Sequence, residues 1–145
     1  MKATPRVLVV EDERAIAALL RGRLERAGYD VQVAGDGLAA CKAIGENPPD
    51  LILLDLVLPV LDGWKVCSIV RTFPDPEVSR TPVIMLTSQA SQEDRLRGLC
   101  SGADDYITKP FSMEDVLLRV REQLSRGRRG RAADGPGTSG GEPRR

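Results

Sequence analysis

Glu11, Asp12, Asp55, Thr87 and Lys109 each stand at the end of a short apolar run. The run from Val7 to Val10 ends in Glu11-Asp12, Leu51 to Leu54 in Asp55, Val83 to Leu86 in Thr87, and Tyr106-Ile107-Thr108 in Lys109-Pro110. Continuous apolar runs of this length are what strands buried on both faces of a parallel sheet look like. The carboxyl ends of such strands share one edge, where the ligands of open parallel sheets collect. Three carboxylates, a hydroxyl and an ammonium gathered there would suit a divalent cation and a phosphoryl group. Clustered carboxylates repel unless one holds a proton or a cation neutralises them. All-oxygen donors favour Mg²⁺ or Mn²⁺ over zinc. Asp55 is the candidate nucleophile, since a carboxylate can take a phosphoryl group as an acyl phosphate. That chemistry asks mainly for positioning and charge neutralisation. Lys109 would supply a point charge and Thr87 a hydrogen bond. Pro110 after Lys109 invites a cis peptide, although cis is the minority state of X–Pro bonds in general.

The elements that must position these groups alternate strand and helix five times without a sequence repeat. Strands are expected at Arg6–Val10, Val31–Ala34, Leu51–Leu54, from Val83, and at about Asp104–Ile107. The first helix has Ile16, Leu19, Leu20, Leu24 and Ala27 on one face and Gly28 as its stop. A short Ala-rich helix is expected from about Asp36 to Ile44. The third begins near Asp62, with Val66, Ile69, Val70 and Phe73 at helical spacing. Pro74–Thr81 reads as a polar loop. Ser91 with Asp94, and Ser112 with Asp115, have the spacing of capping boxes that open two further helices. Met113, Val116, Leu117, Val120 and Leu124 form the apolar face of the last. This alternation predicts an α/β fold, a doubly wound five-stranded parallel sheet.

At 145 residues the chain suits one domain. Its formal net charge is zero, yet residues 1–125 carry a net of −4 and residues 126–145 a net of +4. A mildly acidic domain argues against nucleic-acid binding by it. No Leu, Ile, Val, Phe or Met follows Leu124. The expected organisation is therefore a domain over 1–125 and a disordered Gly/Arg-rich tail or linker over 126–145. Cys41, Cys67 and Cys100 form no C-x-x-C pair and read as reduced, buried small hydrophobes. Histidine is absent, which excludes His-based zinc sites, catalytic triads and an internal phosphohistidine donor. No stretch approaches a membrane span or a signal peptide, so a cytoplasmic protein without membrane contact is expected.

Four ordered motifs carry a resemblance: Val7–Glu13; Asp55-Leu56-Val57-Leu58-Pro59-Val60-Leu61-Asp62-Gly63; Leu86-Thr87-Ser88; and Gly102 through Phe111. Over about residues 5–125 they resemble a bacterial two-component response-regulator receiver domain of the CheY type. The resemblance implies a CheY-like, flavodoxin-like (βα)5 fold with strand order 2-1-3-4-5, the order given for CheY itself. It implies Asp55 as phosphoacceptor and Mg²⁺ held by Glu11, Asp12, Asp55 and the backbone carbonyl of Val57. Thr87 and Lys109 would contact the phosphoryl group, the Lys109-Pro110 bond would be cis, and Thr87 and Tyr106 would form the switch. The partners implied are a sensor histidine kinase or histidine phosphotransfer protein and a downstream effector the sequence does not identify. Output would pass through the helix from Ser91, the fifth strand and the last helix, which often pair receivers into homodimers. Catalysis would be limited to the chain's own phosphoryl transfer and slow autodephosphorylation. Departures are small: Glu at position 11, Leu58 where Met is frequent, and Val57 and Gln89 at positions that tune acyl-phosphate hydrolysis.

Two other classes deserve weighing. A phosphorylation-independent docking module would have no need of the acids, Thr87 and Lys109 together. A dehalogenase-type phosphatase wants a second carboxylate where Val57 stands. Dinucleotide and flavin sites are opposed by Glu11-Asp12-Glu13, whose charges repel a phosphate.

Overall fold

The computed structural model describes residues 4–88 and 102–133, with residues 128–133 described as backbone. Five strands, β1 (Arg6–Val10), β2 (Asp30–Ala34), β3 (Leu51–Asp55), β4 (Val83–Thr87) and β5 (Asp105–Thr108), form one parallel sheet in the order β2-β1-β3-β4-β5. The described helices are α1 (Arg14–Arg26), α2 (Gly37–Glu46), α3 (Gly63–Arg71), α4 (Pro76–Ser79) and α5 (Met113–Ala133). This is the expected doubly wound α/β architecture. The helix expected from Ser91 and Asp94 lies outside the described residues, as do Gln89 and Cys100.

Alternation along the strands divides the apolar residues between two cores. Leu8, Val10, Ile52, Leu54, Val83 and Met85 face Ala40, Ala43 and Ile44 of α2 and Val66, Cys67 and Val70 of α3. Val7, Val9, Leu51, Leu53, Ile84, Leu86 and Ile107 face Leu20 and Leu24 of α1 and Met113, Val116, Val120 and Leu124 of α5. Burial on both faces explains why the strands read as unbroken apolar runs rather than alternating ones.

Caps explain where the helices begin. The carboxylates of Asp36 and Asp62 accept the N–H groups of Ala39 at 2.7 Å and Lys65 at 2.9 Å, and Ser112 Oγ accepts that of Asp115 at 3.1 Å. Gly28, at φ +99°, ends α1. Three expectations need correction. Leu19 is half exposed and Ala27 is exposed, because the buried stripe of α1 runs through Ala17, Leu20 and Leu24. The segment expected as a loop over Pro74–Thr81 contains α4, opened by Asp75, whose carboxylate takes the Glu77 N–H at 3.0 Å, with Pro76 in the first turn. The helix α5 runs on to Ala133, so residues 126–133 of the expected tail are helical. Helix propagation costs little once the packed turns exist, and Arg and Ala are strong helix formers. Residues 134–145 lie outside the described residues.

Arg71, the last residue of α3, holds four acceptors at the amino ends of β4 and β5. It donates to the carbonyls of Gly102 (2.9 Å), Ser79 (3.1 Å) and Thr81 (2.6 Å), and to Asp104 Oδ2 (2.7 Å). Asp104 Oδ2 also accepts the Val83 N–H at 2.8 Å. Arg71→Met strands these partners and is expected to lower unfolding free energy by about 2–3 kcal/mol. A urea melt measures this, and Arg71→Lys should recover little because a point ammonium cannot span the fork.

Candidate functional site

Strand register brings the predicted residues to one edge. Val10 pairs with Leu54, so Glu11 and Asp55 follow side by side. Asp55 pairs with Leu86, just before Thr87, and Thr87 pairs with Thr108, just before Lys109. The Lys109 N–H donates to the Thr87 carbonyl at 2.7 Å. Gly63 lets α3 start hard against this edge. A Cβ there would stand 2.5 Å from the Asp55 carbonyl oxygen and 2.9 Å from Leu56 Cα, so any side chain would displace the strand end.

Glu11 and Asp55 are buried and Asp12 is exposed, and ligand oxygens of all three lie within 4.8 Å of one another. Lys109 Nζ lies 3.2 Å from Glu11 Oε1 and 3.2 Å from Asp55 Oδ2, salt-bridging both. The remaining oxygens are also engaged. Asp55 Oδ1 accepts the Val57 N–H at 3.2 Å, and Glu11 Oε2 accepts the Glu13 N–H at 3.1 Å. Thr87 is fully buried at the end of β4. Tyr106 is half-buried and packs toward the α2/α3 core, and the Lys109-Pro110 peptide is cis. The sequence-predicted acids and lysine are thus brought together, with the threonine one strand away. The donor set fits a hard divalent ion: carboxylate oxygens from two strand ends, close enough to share a ligand and mutually repelling without one.

Two features escaped sequence reasoning. One is that Val57 and Glu13 offer backbone N–H groups to the carboxylates, a contact no side-chain pattern announces. The other is Val60, which sits at φ +70° while the Leu61 N–H donates to the Pro59 carbonyl at 2.7 Å. This three-residue closure is the rare, strained form of γ-turn. Holding a β-branched residue there costs on the order of 1–3 kcal/mol. Valine is among the last residues a sequence reader would place in it.

Burial, the largest cause, and then the Asp55 charge push the Glu11 carboxyl from 4.5 up to about 7, against the pull of the Glu13 N–H and of Lys109. Burial alone would lower the Lys109 ammonium, but the Asp55 and Glu11 carboxylates together carry it upward. Because the Glu11 pKa is raised on folding, its stabilising contribution is intact below pH 4.5 and is lost as pH rises through about 7. In EDTA the urea midpoint should therefore fall between pH 5 and pH 8. Glu11→Gln should flatten that segment of the profile.

Known proteins resemble the chain in sequence and in fold. The sequence profile of the response regulator receiver domain matches residues 7–121. The chain is 47% identical over 122 residues to the DNA-binding dual master transcriptional regulator RpaA of Synechocystis, covering 84% of this chain and 50% of that protein. It is 43% identical over 121 residues to the response regulator MprA of a Mycobacterium species, covering 83% and 51%. The chain spans about half the length of these curated relatives. Among solved structures, the receiver domain of Francisella response regulator 1452 superposes with a TM-score of 0.78 at 39% identity, covering 85% of this chain and 98% of that one. The receiver domain of sensor histidine kinase PA1611 from Pseudomonas aeruginosa, solved with a magnesium ion coordinated in its active site cleft, gives 0.77 at 32% identity, covering 85% and 99%.

Proposed function

Because this chain belongs to the response regulator receiver domain family of two-component signalling, we propose that it is a phosphorylation-controlled switch whose phosphoacceptor is Asp55. The observation that carries this reading is Lys109 Nζ bridging Glu11 and Asp55 inside a three-carboxylate cluster at the carboxyl edge of the sheet. A carboxylate oxygen of Asp55 attacks the phosphorus of a phosphohistidine on a sensor kinase or phosphotransfer protein. The new O–P bond forms as the N–P bond breaks, and the electron pair leaves on the imidazole nitrogen, which takes up a proton. Lys109 neutralises charge on the phosphoryl oxygens, and the Thr87 hydroxyl donates to one of them. Glu11, Asp12, Asp55 and the Val57 carbonyl would hold Mg²⁺ or Mn²⁺, which supplies charge neutralisation at the phosphoryl oxygens when bound. Small acyl phosphates could serve as donors by the same attack.

Phosphorylation adds about −1.5 to −2 charges at an edge built of acids. In this reading Thr87 and Tyr106 convert that change into a shift of the output face, assigned to the helix expected from Ser91, β5 and α5. The receiver unit is assigned to residues 1–125, it acts in the cytoplasm, and its output partner is a downstream effector. Incubation with acetyl phosphate and Mg²⁺, followed by mass spectrometry and peptide mapping, tests the reading. One phosphoryl group on Asp55 is expected; no gain, or a group mapped to another residue, overturns it.

A further inference from the structure

Gly37, the first residue of α2, is buried against the loop that joins β3 to α3. A Cβ on it would overlap the Leu61 carbonyl oxygen and stand 2.6 Å from Leu61 Cβ and 2.9 Å from the Leu61 carbonyl carbon. These atoms belong to the backbone or are fixed to it, so none can swing aside as the end of a long side chain does. Helix and loop meet backbone to backbone, and only glycine lets them come so close.

A side chain at position 37 would force one partner to move, and the surrounding bonds decide which. The Asp36 carboxylate accepts the Ala39 N–H at 2.7 Å, and the Ala40 N–H donates to the Asp36 carbonyl at 3.0 Å. Ala40 and Ile44, both fully buried, anchor the helix in the core. Leu61, by contrast, follows the strained turn at Val60, a backbone conformation disfavoured for valine. The loop is the softer partner. Its ends cannot absorb the change, because the Gly63 N–H donates to the Leu56 carbonyl at 3.0 Å and the Leu56 N–H to the Leu86 carbonyl at 2.9 Å. A push on Leu61 is therefore spread over residues 57–62. The Val57 N–H donates to Asp55 Oδ1 at 3.2 Å, at the long end for such a bond, so a small shift breaks it.

We propose that Gly37 is a positioning residue for Asp55: having no side chain, it lets α2 brace Leu61 and so holds the loop whose Val57 N–H orients the carboxylate. The inference rests on the phosphotransfer reading and adds to it a residue of α2, an element that supplies no side chain to the carboxylate cluster.

The test uses three variants of the full chain. Gly37→Ala crowds the contact, and Leu61→Gly loosens it from the loop side. Lys42→Gly is the control, an exposed change in the middle of α2 that weakens the helix away from Gly37. Two quantities are read: the rate of labelling by acetyl phosphate in saturating Mg²⁺, per folded chain, and the Val57 amide proton shift in ¹⁵N-labelled protein. Gly37→Ala and Leu61→Gly should be labelled roughly 10–100-fold more slowly than wild type, the cost of a misplaced reacting group. Their Val57 amide proton should move upfield as its hydrogen bond is lost. Lys42→Gly should keep the wild-type rate and the wild-type shift. Circular dichroism melts show which variants fold, and Leu61→Gly carries the test should Gly37→Ala not fold. A wild-type rate with an unmoved Val57 amide in the folded variants would overturn the brace. Equal slowing in Lys42→Gly would overturn it too, by tracing the effect to general stability. Failure of acetyl phosphate to label even the wild-type chain would instead overturn the phosphotransfer reading, and the Val57 amide would then decide the brace by itself.

Discussion

Asp55→Asn is expected to take up no phosphoryl group from acetyl phosphate in Mg²⁺, where the wild-type chain is expected to take up one. The amide keeps the shape of the side chain and its contacts with the Val57 N–H, but its oxygen is a poor nucleophile and it brings no charge to the cation. The fold should survive the change. Removing one of two buried carboxylates that repel each other relieves the cause that helps raise Glu11, so Glu11 should titrate closer to its ordinary range. Intact mass spectrometry gives the first result, and the pH dependence of the urea midpoint gives the second. A substituted chain that gains mass as the wild type does would remove Asp55 from the chemistry.

Lys109→Met should produce effects of opposite sign on cation and phosphoryl group. Lys109 Nζ salt-bridges Glu11 and Asp55, and so competes with a divalent ion for the same oxygens. Without it, Mg²⁺ should bind at least as tightly, which Trp64, half-buried at the start of α3, can report by its fluorescence. Phosphorylation should nevertheless slow by about 10²–10³-fold, the usual cost of losing one preorganised group that stabilises transition-state charge. Comparing acetyl phosphate kinetics with Mg²⁺ titration separates the two. If both fall in parallel, Lys109 only supports the site's structure; if neither changes, it has no role in the transfer.

Much of this was legible because the chemistry sits at the ends of the strongest patterns in the chain. Apolar runs such as Leu51–Leu54 announce buried strands, and the polar residue that terminates each run is by construction at the sheet edge. Caps at Asp36, Asp62 and Ser112 were legible for a similar reason, since an oxygen placed just before an apolar helix face has one main use. The extension of α5 to Ala133 was not, because residues 126–133 carry no large apolar side chain to mark a buried face and helix propagation requires none. Nor was the turn at Val60, where tertiary packing of the flanking Leu58 and Leu61 overrides what a valine's backbone prefers. The α4 turn was hidden by its prolines, which signal a loop unless one of them falls in a first helical turn.

The two edges of the sheet are built to opposite ends. At the amino edge, side chains stitch every strand to a neighbour: the Arg6 N–H donates to Asp50 Oδ2 at 2.7 Å, Arg6 Nε approaches Asp30 at 3.8 Å, and Arg71 with Asp104 ties the start of β4 to the start of β5. At the carboxyl edge Lys109 and the N–H groups of Glu13 and Val57 converge instead on the carboxylates of Glu11 and Asp55. The sheet is thus bound by side chains along one margin like the spine of a book, and the margin where Asp55 lies has its side chains turned to the acids. A charge added at that margin is therefore expected to move the loops there before it moves the strand starts held by Arg6 and Arg71.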